Sequence, residues 1–174
     1  MGKNGIIIRI IITLLFLISL FFVEAGFCGS SVVAKYNNGF GTIDMKYYDM
    51  QTVQNALSPM NEKGIAIYKL YYLMDFIFVL FFGAFQIMLI NDVFSFEKNK
   101  LTTIIIFSVP ILRGMCDTIE NIILLWTLYT YPKINELAIS ISAKFTLVKL
   151  MCIKVWILLI VIGLVCKVIL FLKR

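Results

Sequence analysis

Residues 104–126 form an apolar run of membrane-spanning length, yet they carry Arg113, Asp117 and Glu120 at i, i+4 and i+7, with Asn121 alongside. That spacing projects all three charges from one helix face. Such a set suits three kinds of chemistry: acid–base work on a bound molecule, recognition of a polar ligand head, or an ion-pair clasp between helices. Asp75 in an earlier apolar run, with Lys149 and Lys154 in a later one, completes a neutral set of three acids and three bases. Each ionised residue near the centre of a spanning helix costs about 2.5 to 3.5 kcal/mol, so the set is expected to close on itself.

Several chemistries are absent from the chain. It has no histidine, which excludes His-based metal sites, catalytic triads and pH switches. The four cysteines (Cys28, Cys116, Cys152, Cys166) form no CxxC pair, and only Cys28 falls outside an apolar run, where exposure is expected. Cys116 adjoins Asp117 in sequence, but neighbouring helix positions point in different directions, so no nucleophile has an adjacent base. Neither a metal nor a cofactor is expected.

The elements that must position these residues follow from composition. Of the 174 residues 61% are hydrophobic and 15% charged, which fits an integral membrane protein rather than a soluble globule. The net charge of +6 is scattered through and beside apolar runs, the pattern of topology-setting charge, so the partner is a lipid bilayer and nucleic acid is not expected. Four helices are predicted over about 6–27, 67–90, 102–127 and 145–172, in a single domain over 1–174. The first also has the basic start and small residues of a cleavable signal peptide, and both readings stay open.

A polar stretch over 28–66, an outer loop of about 40 residues, separates the first two spans. Asn37, Asn38, Gly39 and Gly41 mark turns within it, and a short amphipathic helix is expected over 49–57, capped by Asp49 and stopped at Ser58-Pro59. The stretch reads as a covering loop. In the second span, Tyr68, Tyr72, Asp75, Val79, Phe82, Gly83 and Gln86 share a stripe that should face the bundle, with Gly83 permitting close helix approach.

Lys3, Arg9, Lys98, Lys100, Lys173 and Arg174 fall at one end of this arrangement, which predicts both termini in the cytoplasm. Tyr68, Tyr71, Tyr72, Trp126, Tyr129 and Tyr131 then fall together at the outer interface. Counting inward from the predicted outer helix ends places Asp75, Asp117 and Lys154 at one depth in the outer half, with Glu120 and Lys149 at a shallower one. On that count Lys154 is the better partner and Lys149 is free to snorkel outward. Gln86 and Ser108 would extend the polar path inward.

The order Tyr72, Asp75 and Phe76, then Pro110, Arg113-Gly114, Asp117 and Glu120-Asn121, then Tyr131-Pro132, Ser142, Thr146 and Lys149 resembles a family of small four-helix membrane proteins with a D..EN signature. That family has no assigned activity, so the resemblance implies the fold and singles out Asp75, Asp117, Glu120, Asn121 and Lys149 without a mechanism. The architecture also looks like that of the emopamil-binding and sigma-2 type proteins, although the missing histidine departs from their isomerase chemistry. Three functions are compatible with these observations: binding of a small amphipathic or lipidic ligand at the polar cluster, assembly with a membrane-protein partner, or lipid-directed hydrolysis or transfer by Asp117 and Glu120.

Overall fold

In a bilayer the backbone has only itself to satisfy its N–H and C=O groups, and apolar runs of this length therefore fold as helices. The computed structural model describes residues 3–173. It contains α1 (Lys3–Glu24), a short α2 (Ser30–Val33) continued by a 3-10 turn (Ala34–Tyr36), α3 (Met50–Leu57), α4 (Glu62–Val93), α5 (Lys100–Thr130) and α6 (Glu136–Leu172), with no strand among the described residues. Four of these, α1, α4, α5 and α6, are long and apolar enough to cross a membrane. The protein is an all-α, multi-pass membrane protein. Arg174, counted above with the basic end, lies outside the described residues.

Three helices run well past their apolar stretches, and asparagine explains where each one starts. Asn61 Oδ1 accepts from the Gly64 amide at 2.9 Å, Asn99 from Leu101 at 2.9 Å, and Asn135 from Ala138 at 3.1 Å. Each satisfies a backbone donor that the first helical turn leaves open. Helix α6 consequently begins nine residues before the predicted 145, so that residues 136–144 are helical too. Apolar runs mark where a helix meets lipid. They do not mark where it stops above the lipid.

At 32, 31 and 37 residues, α4, α5 and α6 are about 46 to 55 Å long, against a hydrocarbon core of about 30 Å. The excess stands at the N-terminal end of α4, where residues 25–61 wrap it. As expected, α3 forms with Asp49 as its cap, accepting from the Thr52 amide at 2.8 Å, and it buries Val53, Ala56 and Leu57. Asn38 and Gly39 take positive φ angles of 57° and 82°, and the Asn37 side chain clamps both backbone groups of Gly41 at 2.7 and 3.0 Å. This tight turn sends Thr42–Asp44 inward instead of out to water.

Tyr68, Tyr71 and Tyr72 are therefore not an interfacial belt. They are almost wholly buried beneath the returning chain, and the Tyr68 hydroxyl accepts from the Ile43 amide at 2.9 Å. Trp126 and Tyr129 do face outward, as an interfacial position requires. Cys28, expected to be exposed, is fully buried in the same covering segment.

Helix α5 is flanked by α4 and α6, while α1 packs along α4, where the Phe16 ring stacks on Phe82 and Phe85 with centroids 5.3 and 4.5 Å apart. At the opposite end from the covering segment, Arg9 forms a bidentate ion pair with Asp92, one contact being 2.8 Å, and Lys167 Nζ donates to the Asp92 carbonyl at 2.9 Å. Both ends of the described chain lie there. Gly163 makes the crossing of α6 and α4 possible, because a Cβ at that position would fall 2.3 Å from Val93 Cγ1. Gly83 has no such role: nothing lies within 4 Å of where its Cβ would be.

Candidate functional site

Measured from the observed helix ends, Asp75 is thirteen residues beyond Glu62, Asp117 thirteen before Thr130, and Lys149 thirteen beyond Glu136. At about 1.5 Å per residue the three share one level, about 20 Å from the helix ends beneath the covering segment. The same counting, started from the apolar boundary of α6, had selected Lys154. The cap at Asn135 moves the choice by five residues, so that Lys149 joins the cluster and Lys154 is exposed on the lipid-facing side of α6.

Lys149 is the hub. Only 2% exposed, its ammonium lies 2.6 Å from Glu120 Oε2, 3.0 Å from Asp117 Oδ1 and 4.0 Å from Asp44 Oδ2. Arg113 reaches Asp117 Oδ2 at 3.2 Å through Nη1 and donates to the Val79 carbonyl at 3.2 Å through Nη2, with its guanidinium 4.4 Å from the centre of the Phe82 ring. The i, i+4 spacing of Arg113 and Asp117 thus forms the expected pair, and α6 supplies the second cation.

Around Glu120 the polar groups are closed off. Thr146 Oγ1 donates to Glu120 Oε1 at 2.5 Å, and the Tyr48 hydroxyl approaches both Ser142 Oγ at 2.7 Å and Glu120 Oε1 at 3.4 Å. Burial, and next the Glu120 carboxylate, push the Tyr48 phenol well above its ordinary value, so it stays a hydrogen-bond donor. Tyr48 comes from the covering segment, and it was not among the residues that spacing singled out.

The other side of the cluster is open. A cavity of about 250 Å³ is lined by Asp44, Asp75, Asp117, Arg113 and Lys149 on its polar side, and by Phe78, Phe82 and Ile153 on its apolar side. Val23 and Glu24 at the end of α1, residues 40–42 and 44–46 of the covering segment, Ser30 and Tyr71 complete its wall. Asp44 accepts from the Tyr71 hydroxyl at 3.1 Å, and Asp75 Oδ2 accepts from Asn121 Nδ2 at 2.6 Å. No other hydrogen bond and no salt bridge reaches Asp75 among the described residues.

Compared with protein-family models, curated proteins and solved structures, the chain matches none of them.

The charge balance differs from the expected three acids and three bases. Asp44 enters the cluster and Lys154 leaves it, which makes four carboxyl groups (Asp44, Asp75, Asp117, Glu120) against two cations (Arg113, Lys149). Asp44 carried no signal in the sequence, because an acid in a polar, turn-rich loop is ordinarily solvated. The inward path is shorter than expected. Ser108 is exposed and bonds its own helix at Ile105, while Gln86 is fully buried with neither amide atom partnered among the described residues.

Proposed function

We propose that this protein binds a small amphipathic molecule in the cavity beside Asp75. The supporting observation is the cavity itself, whose polar wall of Asp44, Asp75, Asp117, Arg113 and Lys149 faces an apolar wall of Phe78, Phe82 and Ile153. Polar groups converging on one side of a space whose other side is aromatic and aliphatic suit a ligand pocket. Depth supports an amphipathic occupant: Asp75 and Asp92 are seventeen residues apart on α4, about 25 Å, nearly the thickness of a hydrocarbon core. A head group held by Asp75 would thus sit near one membrane face, with its apolar part against Phe78 and Phe82.

In this reading the termini are cytoplasmic and the cavity belongs to the opposite leaflet, because Lys3, Arg9, Lys98, Lys100 and Lys173 all lie toward the Asp92 end. The D..EN resemblance is consistent with it, since Asp75, Asp117, Glu120, Asn121 and Lys149 are all members of the buried cluster.

The test is extraction. The purified wild-type chain should carry a co-purifying amphiphile detectable by mass spectrometry, and Ile153→Trp, which fills the cavity from α6, should be depleted of it at unchanged yield. Identical bound species in the two preparations would remove the basis of the proposal.

A further inference from the structure

The buried cluster beside the pocket is not neutral, and its imbalance selects among amphiphiles; the exposed Glu24 and Lys46, which also line the pocket, offset each other. Four carboxyl groups share two cations, and both cations are directed at the same two acids: Arg113 at Asp117, and Lys149 at Asp117 and Glu120. Asp44 lies 4.0 Å from the Lys149 ammonium and, among the described residues, otherwise has only the Tyr71 hydroxyl. Asp75 is 3% exposed, and its single hydrogen bond among the described residues occupies Oδ2, leaving Oδ1 without a donor there on a cavity-lining side chain.

On a side chain this buried, a carboxylate with a single donor is costly unless something neutralises it. The groups around it are aromatic: Tyr71, Phe78 and Phe82 line the same space, and ring faces attract organic cations. The acids do not converge as ligands of one inorganic ion would, since no metal-holding group of three or more exists among the described residues.

We infer that the ligand's head group is an organic ammonium, seated between Asp75 and Asp44 with its apolar part against Phe78 and Phe82. Resting on the ligand-binding reading above, this assigns the charge of the occupant. The ammonium supplies donors to Asp75 Oδ1 and Asp44, and it brings the cluster from two unmatched acids to one. Arg113 and Lys149 cannot do this themselves, because each is fixed by the acids it already holds.

The experiment uses the full chain in dodecyl maltoside, an uncharged detergent, with 2-phenylethylammonium and its neutral isostere 2-phenylethanol as probes. Binding is read by saturation-transfer NMR and by the shift in melting temperature. The ammonium should bind about tenfold or more tightly than the alcohol, the increment of a charge-assisted contact. Asp75→Asn, whose amide oxygen can still accept from Asn121, should erase that preference. Asp44→Asn should reduce it, and serves should the first variant fail to fold.

Equal affinity for the two probes, or no binding of the ammonium, overturns the inference. Neither result touches the ligand-binding reading, which stands or falls on the amphiphile lost from Ile153→Trp. Retention of the full preference in both asparagine variants also overturns it, because the discriminating charge would then lie elsewhere.

Discussion

The two halves of the buried cluster share Lys149 but differ in every other respect. Around Glu120 the oxygens are matched by Lys149, Thr146 and the Tyr48–Ser142 pair, at distances from 2.5 to 3.4 Å. Around Asp75 there is one amide donor, a neighbouring carboxyl at Asp44 and open space. A filled half ties the covering segment, α5 and α6 into one body, because Tyr48, Glu120 and Ser142 come from the three of them. An unfilled half can only be occupied from outside. The same set of intramembrane charges thus serves as a clasp on one side and a receptor on the other, and the choice between site and clasp posed by the sequence is a choice between halves.

The strongest way to break this contrast is to remove what the halves share. Lys149→Met leaves Asp117, Glu120 and Asp44 without their common cation, and stripping one partner from a buried pair costs about 3 to 5 kcal/mol. The folded yield in detergent should collapse, with any survivor melting far below wild type; a melting point within a few degrees would mean that the hub is dispensable. Glu120→Gln against Asp75→Asn separates the halves directly. The first disrupts filled contacts and should cost about 1 to 3 kcal/mol, whereas the second keeps its bond to Asn121 and should cost under about 1. Equal losses in denaturant titrations of the two variants would erase the distinction.

A smaller effect is expected where the covering segment meets the clasp. Tyr48→Phe deletes the hydroxyl that reaches Ser142 at 2.7 Å while preserving the ring, a loss of about 1 kcal/mol. Amide exchange over residues 42–50 should speed up while α4 is unchanged. Uniform acceleration along the chain would show instead that the hydroxyl supports the whole bundle.

What the sequence disclosed follows from which physical signals are local. The four spans were legible because apolar length and helix formation are coupled in lipid. Arg113, Asp117, Glu120 and Asn121 were legible because misplaced polarity in an apolar run stands out. Asp44 and Tyr48 were not, since the turn at Asn38-Gly39 that drives them inward uses residues equally suited to an exposed loop. Tyr68, Tyr71 and Tyr72 were placed at the right level and the wrong surface for the same reason: nothing local shows that another segment will cover them.

The smallest expected effect tests the depth counting on which the site rests. Lys149 and Lys154 lie five residues apart on α6, and only the starting point of the helix decides which one meets Asp117. Begun at the apolar boundary, the count selects Lys154; begun at the Asn135 cap, it selects Lys149, which is buried while Lys154 is exposed. Lys154→Leu should therefore change stability by no more than about 0.5 kcal/mol, as outward-facing substitutions do, and leave the probe preference at Asp75 intact. A loss approaching that of Lys149→Met would mean that α6 is rotated or shifted by more than a turn from its position here. The thirteen-residue level shared by Asp75, Asp117 and Lys149 would then be a coincidence of numbering rather than the depth at which three helices meet.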